Sequence, residues 1–142
     1  MKTFLFDANL MLALAWPNHP FHQKAVAHVT RRRNFRWATC SLTQAAFVRL
    51  SSNLQVVPNA KTPAEAGALL EKMMRDRGHV FLEPKTNQTG KLRELLARCH
   101  GHNQVNDAFL LWIAITREAV LLTFDAPLRH LAPQPHFVEV LG

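Results

Sequence analysis

Three aspartates stand beside apolar segments that are far apart in the chain, and their residue type suits the binding of a metal ion. Asp7 follows the run T-F-L-F, Asp125 follows V-L-L-T-F, and Asp107 precedes A-F-L-L-W-I-A. A carboxylate at the end of a buried strand is costly to remove from water unless a partner compensates it. Together these groups predict one site for Mg²⁺ or Mn²⁺, because both ions prefer oxygen ligands.

A metal site in a basic chain favours the hydrolysis of phosphodiesters. The sequence has 17 Lys and Arg against 10 Asp and Glu, a formal net charge of +7. A basic surface attracts polyanions such as nucleic acids, and a metal ion polarises phosphate and activates water. We therefore predict catalytic and metal-binding roles for Asp7, Asp107 and Asp125. The structural alternatives are a turn residue at 125 and a first-turn helix acid at 107.

The elements that must position these aspartates alternate between short apolar strands and helices. Strands are predicted at 2–6, 35–39, 79–82, 119–124 and 137–140, and helices at 10–15, 20–33, 41 or 43 to 50, 62–75, 89–98, 103 or 106 to 118 and 127–131. This alternation is typical of a parallel sheet with helices on both faces. We expect one domain over 1–142, with the aspartates meeting at the carboxyl ends of the strands, where such sheets bind ligands.

Local signals define several helix starts. Ser41 or Thr43 is predicted to cap the third helix, and Asn103 or Asn106 the helix that carries Asp107. The segment T-P-A-E at 62–65 combines a Thr cap, a Pro in the first turn and a Glu three residues after the cap, which strongly indicates a helix start.

Two helices are also expected to bury apolar residues. Segment 20–33 is predicted to turn one face inward, formed by Phe21, Ala25, Val26 and Val29. It ends in R-R-R at 31–33, which we interpret as a solvated helix end whose charge suits the helix dipole. Segment 105–115 is apolar on most sides and is predicted to be a central, buried helix.

The cysteines and the N-terminus favour a cytoplasmic protein. Cys40 and Cys99 are the only cysteines and lie in no metal-binding or redox spacing, so we predict small buried hydrophobes in a reducing compartment. Asp7 and Asn9 interrupt the apolar N-terminal segment, which argues against a signal peptide. No stretch approaches the ~20 apolar residues of a membrane span.

Four blocks of the sequence, F-D-A-N-L-M-L-A-L-A-W-P, W-A-T-C-S-L-T-Q-A-A-F-V-R-L-S-S-N, G-H-N-Q-V-N-D-A-F-L-L-W-I-A and L-L-T-F-D, carry a family resemblance. They resemble the PIN-domain ribonucleases, and within them the VapC toxins of bacterial toxin–antitoxin pairs. The resemblance implies a doubly wound α/β/α fold with a mainly parallel sheet, and a Mg²⁺- or Mn²⁺-dependent endoribonuclease. It also implies a homodimer and neutralisation by an antitoxin protein.

The resemblance assigns the metal site to Asp7, Asp107 and Asp125, with Asn9 as polar support. A structured RNA such as a tRNA loop is the expected substrate, because unstacked loop bases are accessible to proteins. The antitoxin is expected to insert an arginine among the three carboxylates, since a guanidinium forms bidentate pairs with carboxylate.

The chain departs from the family on the third helix, where a Glu is usual. Here Gln44 is followed by alanines, and no acid occurs from Arg31 through Ala64. Gln44 is a candidate for a neutral supporting oxygen. Arg49 is a candidate contact for phosphate or a carboxylate, and a surface arginine is its alternative. The missing acid leaves open a non-catalytic RNA-binding or partner-binding module. A receiver-like phosphoacceptor domain is disfavoured, because no Lys follows Lys91.

Overall fold

The computed structural model describes residues 1–84 and 89–142, whose strands form one sheet of five parallel strands. The strands are β1 (Lys2–Phe6), β2 (Phe35–Thr39), β3 (His79–Phe81), β4 (Val120–Thr123) and β5 (Val138–Val140), in the spatial order β3-β2-β1-β4-β5. Every pairing between neighbours is parallel. The direction of strand succession reverses between β1 and β4, and this confirms the predicted doubly wound topology.

Helices cover both faces of the sheet. They are α1 (Ala8–Ala15), α2 (His22–Arg31), α3 (Ser41–Ser51), α4 (Pro63–Met74), α5 (Thr89–Ala97), α6 (Val105–Thr116) and α7 (Leu128–Leu131). Phe4 and Phe6 pack with α1 to α4 in one apolar cluster, whereas Leu5 packs with α5 to α7 in the other. The predicted α/β/α layering is therefore confirmed, and the alternation of side chains along β1 produces it.

The two central strands are buried on both sides. Phe4, Leu5 and Leu121 are 0% exposed and Leu122 is 1% exposed. Apolar residues in succession, rather than in alternation with polar ones, are what a parallel strand between two helix layers requires. The pair β1 and β4 thus forms a rigid support for the residues that follow each strand.

Two predicted helix caps are wrong. Cys40 is the N-cap of α3, and Thr43 lies three residues inside, where its hydroxyl accepts a hydrogen bond of 3.0 Å from the Cys40 amide. The chain turns into α3 directly after β2, which moves the cap to the residue before Ser41. The 3₁₀ turn His102–Gln104 precedes α6, so Gln104 occupies the cap position predicted for Asn103 or Asn106.

The start of α4 matches its prediction. The Thr62 hydroxyl accepts a hydrogen bond of 3.2 Å from the Glu65 amide, and the Glu65 carboxylate accepts one of 2.9 Å from the Thr62 amide. These reciprocal bonds form the capping box that T-P-A-E indicates.

The predicted inner face of α2 is partly wrong. Ala25 is fully buried, but Val26 is 36% exposed and Phe21 is 44% exposed. Consecutive helical residues are about 100° apart, so a helix that turns Ala25 inward leaves Val26 at the side. Phe21 precedes α2 and stacks on Phe124, with ring centroids 5.0 Å apart.

The end of α2 is tied to the last strand instead of being wholly solvated. Arg32 lies over the Phe4 ring, 4.3 Å from its centroid, and donates to the Glu139 carboxylate. The same carboxylate is 2.8 Å from His28 Nε2. Arg31 is exposed, as the solvated helix end predicts.

Cys40 is buried, Cys99 is partly exposed, and both are free thiols.

Across the two described ranges, 1–84 and 89–142, the helices are too short or too polar to cross a membrane.

Candidate active site

Asp7 lies where β1 ends and α1 begins, at the carboxyl edge of the central strand. It is 9% exposed. Its Oδ1 accepts a hydrogen bond of 2.7 Å from the Ala8 amide, and its Oδ2 accepts one of 2.7 Å from the Thr123 hydroxyl. Burial raises the pKa of the Asp7 carboxyl, the two hydrogen bonds oppose the rise, and the charge of Asp125 adds to it. The backbone and Thr123 thus fix the orientation of this carboxylate.

Thr123 connects two of the aspartates. This residue is 0% exposed at the end of β4; its hydroxyl donates to Asp7 and accepts a hydrogen bond of 3.0 Å from the Asp125 amide. The sequence analysis missed Thr123. The available signal was a threonine two residues before an aspartate at a strand end, since Thr hydroxyls bond to the backbone two residues on in turns.

Asp107 and Asp125 lie on neighbouring elements at the end of the sheet where the switch point forms a crevice. Asp125 follows β4, and Asp107 lies in the first turn of α6, which leads into β4. Burial raises the pKa of Asp107 to about 6, and the charges of Asp7 and Asp125 add to the rise. Carboxylates affect one another's pKa in this way when they lie close together. The three predicted aspartates therefore share one electrostatic environment at the switch point between β1 and β4.

The chemistry of this donor set suits a hard divalent cation. All three side chains offer oxygen ligands, and their mutual repulsion is what a bound cation would relieve. Within residues 1–84 and 89–142, no three His, Cys, Asp or Glu side chains stand close enough together to hold a metal ion. Asp7, Asp107 and Asp125 fit Mg²⁺ or Mn²⁺ in kind, and their role as ligands stays a prediction.

Replacing Thr123 by Val is expected to lower catalytic activity about tenfold, because a partner that orients a ligand carboxylate typically contributes that much. Valine keeps the branched shape but removes the hydroxyl that contacts Asp7 and Asp125. Initial rates of RNA cleavage by the purified variant provide the measurement. Thr123→Ser keeps the hydroxyl and is the matched control. Equal rates for the Val and Ser variants would show that the hydroxyl does not position the site.

A second polar cluster lies at the end of β2. The Gln44 side-chain amide donates a hydrogen bond of 3.0 Å to the Thr39 hydroxyl, which is 2.8 Å from His79 Nε2. The amide nitrogen is also 3.4 Å from the Met74 sulfur. Burial lowers the pKa of His79 and so favours its neutral ring. The Gln44 side chain is held by β2 and α4, and its nitrogen is already engaged.

The other predicted residues differ in position. Asn9 is exposed on α1, two residues after Asp7. Arg49 is exposed and borders, together with Gln44 and Pro63, a shallow cleft between α3 and α4. It lies eight residues along α3 from Ser41, about 12 Å at the rise of an α-helix. Polar support by Asn9 and Gln44, and a phosphate contact by Arg49, stay predictions.

Comparison with known proteins places this site in context. A family model described as PIN domain matches residues 4–133. Ribonuclease VapC38 of Mycobacterium tuberculosis is 38% identical over 130 residues, which cover 92% of this chain and 90% of that protein. Ribonuclease VapC39 of the same species is 37% identical over 142 residues, covering 98% of this chain and 99% of that protein.

Solved structures resemble the fold over nearly the whole chain. VapBC2 from Rickettsia felis, bound to a DNA fragment from the promoter, gives a TM-score of 0.69 at 16% identity and covers 99% of this chain and 100% of that one. VapC20 of Mycobacterium tuberculosis, described as a Sarcin-Ricin loop cleaving toxin, gives 0.68 at 12% identity, with 93% and 97% coverage. At such identities the likeness concerns the fold alone.

Proposed function

Because the chain belongs to the PIN-domain family, we propose that it is the toxin of a toxin–antitoxin pair and that it cuts RNA as an endoribonuclease. The observation that carries the proposal is the shared electrostatic environment of Asp7, Asp107 and Asp125 at the switch point. Two relatives at 38% and 37% identity, matched over nearly their full length, are named ribonucleases. The net charge of the whole chain, +7 with these three acids included, suits a polyanionic substrate.

Each aspartate has a distinct place in the proposed mechanism. Asp7 is fixed by Ala8 and Thr123, so it would hold a constant position as RNA binds. Asp107, with its raised pKa, and Asp125, which is also half-buried, complete an oxygen-only site. A bound Mg²⁺ or Mn²⁺ would polarise the scissile phosphodiester and promote ionisation of the attacking water. The protein's own contribution is to orient three carboxylates towards one crevice without closing it to substrate.

The partner that fits this crevice is an antitoxin segment bearing an arginine. A guanidinium among three carboxylates that repel one another would form bidentate, charge-assisted hydrogen bonds and relieve the repulsion. It would then compete with both metal and RNA for Asp7, Asp107 and Asp125. The same electrostatic environment that supports catalysis therefore supports neutralisation by a basic side chain.

One observation favours a second candidate, an RNA-binding or partner-binding module without catalysis. The third helix lacks the family's acid, and the Gln44 amide nitrogen is engaged with Thr39 and Met74 instead. A pocket with three carboxylates in place of four holds less negative charge, so we expect weaker occupancy of any second metal position. This alternative predicts RNA binding without turnover.

A cleavage assay distinguishes the two candidates. The purified chain is incubated with bulk tRNA and with a synthetic stem-loop, in Mg²⁺, in Mn²⁺ and in EDTA. We expect cleavage within loops in either metal and none in EDTA, with 5′-phosphate ends on the products. Binding without cleavage at millimolar Mn²⁺ would favour the second candidate. Equal cleavage in EDTA would exclude the metal site.

A further inference from the structure

The sheet edge opposite the three aspartates carries a concentration of exposed basic side chains. We call it the amino-edge patch, since it is formed where strands begin; its members are Lys2, Arg31, Arg33, Arg36, Arg75 and Arg77. All of them are exposed. The site proposed above lies at the other ends of the strands, so it does not account for this patch.

The sheet register brings the patch together. Thr3 pairs with Arg36, and Trp37 pairs with His79. Lys2 directly precedes Thr3 on β1, and Arg77 lies two residues before His79 on β3. The patch therefore draws on β1, β2 and β3 or on the loops that lead into them. Neighbouring strands are about 4.8 Å apart, which places these long cations side by side. Helix α2 ends at Arg31 and leads directly into β2, so Arg31 and Arg33 reach the same edge.

Little negative charge opposes the patch. Asp76 is exposed between Arg75 and Arg77, and its carboxylate accepts hydrogen bonds of 2.8 Å from Trp37 Nε1 and 3.0 Å from the Gly78 amide. Glu139 is occupied by Arg32 and His28. Of the acids described near this edge, Glu118 is exposed just before β4. The edge is therefore strongly positive.

We propose that the amino-edge patch binds the phosphate backbone of a folded RNA whose scissile bond lies at the opposite, aspartate edge. The inference rests on the proposed function and adds a substrate class to it, an RNA long enough to contact both edges. β1 has five residues and spans about 17 Å at the rise of a strand, so a very short single strand at the aspartates does not reach the patch.

Phosphate fits this surface better than an acidic protein does. Arginine forms bidentate pairs with phosphate, and backbone binding requires charge without apolar pockets. Protein interfaces depend on buried aromatic or aliphatic anchors. An apolar cleft that includes Phe35, Trp37 and Met73 lies nearby, but none of the six patch residues lines it.

Equilibrium binding in EDTA tests the inference independently of cleavage. Fluorescent bulk tRNA is titrated with the parent chain and with the Arg36→Glu, Arg77→Glu double variant. For tRNA we expect the Kd to rise roughly tenfold and the slope of log K against log salt to shrink by about 1.5, because two phosphate contacts are lost.

Lys91→Glu with Arg93→Glu is the matched control, because both residues are exposed on α5 and the change in net charge is the same. An equal loss of tRNA affinity in this control would overturn the inference. Unchanged tRNA affinity of the Glu variant would also overturn the inference, even if that variant alone lost its binding to polyglutamate. If the Glu variant does not fold by circular dichroism, Arg36→Gln with Arg77→Gln carries the same test with a smaller expected loss.

The result is separable from the proposed function. A chain that binds tRNA through the patch but never cuts RNA would contradict the proposed ribonuclease and leave the binding surface established. A chain that cuts RNA, and whose Glu variant binds tRNA as the parent does, would contradict the patch alone.

Discussion

The Asp7→Asn variant is expected to lose roughly a thousandfold of the RNA cleavage rate while keeping its fold, since electrostatic groups at a reacting centre contribute on this scale. The change removes one negative charge from the crevice and leaves a weaker ligand for a hard cation. The fold should persist because Asn caps a helix about as well as Asp does. Its side-chain oxygen can keep the hydrogen bond from the Ala8 amide.

Glu71→Gln is the control for Asp7→Asn, because it removes one charge from an exposed position on α4. Cleavage is followed on the same RNA, and melting temperatures verify that both variants are folded. Undiminished cleavage by a folded Asp7→Asn protein would remove Asp7 from the mechanism. A comparable loss in Glu71→Gln would mean that overall charge, rather than the site, determines the rate.

The Asp107→Asn variant is expected to be more stable than the parent in EDTA at pH 7. The pKa of Asp107 is raised from 3.8 to about 6 by burial and by its acidic neighbours, so its ionised form destabilises the folded state. A difference of this size corresponds to about 3 kcal/mol as an upper bound, and half-exposure to solvent reduces it to roughly 1.5 kcal/mol. Denaturant unfolding of both proteins measures the gain.

The pH dependence of this gain has a definite sign. Because the folded pKa of Asp107 is raised, the folded state binds a proton more tightly than the unfolded state does, and the Asp107 contribution to stability falls between pH 3.8 and about 6. The advantage of Asp107→Asn should be full above that window and absent below it. Millimolar Mg²⁺ should stabilise the parent more than the variant. A gain of the same size at pH 3.5 and pH 7 would contradict this account.

Much of the fold was accessible from the sequence, because local signals and burial agreed. β1 and β2 occupy the predicted residues, because a short apolar run between two helix signals is best explained as a strand. The capping box at Thr62 needs only side chains three residues apart, and it formed as predicted. The placement of three aspartates at one sheet edge followed from topology, because strand ends in a parallel sheet share an edge.

What the sequence did not reveal depends on contacts between distant residues. The Thr123 hydroxyl acts on Asp7 across 116 residues, so no local pattern indicates its role. Cysteine is an uncommon cap, and Cys40 took that position because β2 leads straight into α3. The orientation of Gln44 is fixed by Thr39 and Met74, which belong to other elements. Side-chain direction of this kind follows from packing rather than from propensity.

The bond between Thr123 and Asp7 also has a consequence for biosynthesis. Its two residues are 116 positions apart, and β1 can pair with β4 only after both have left the ribosome. A nascent chain that has exposed Asp7 therefore carries a lone carboxylate beside an unpaired strand edge for most of its synthesis. The site proposed for catalysis can therefore form only late in synthesis, once Asp107, Thr123 and Asp125 have also emerged.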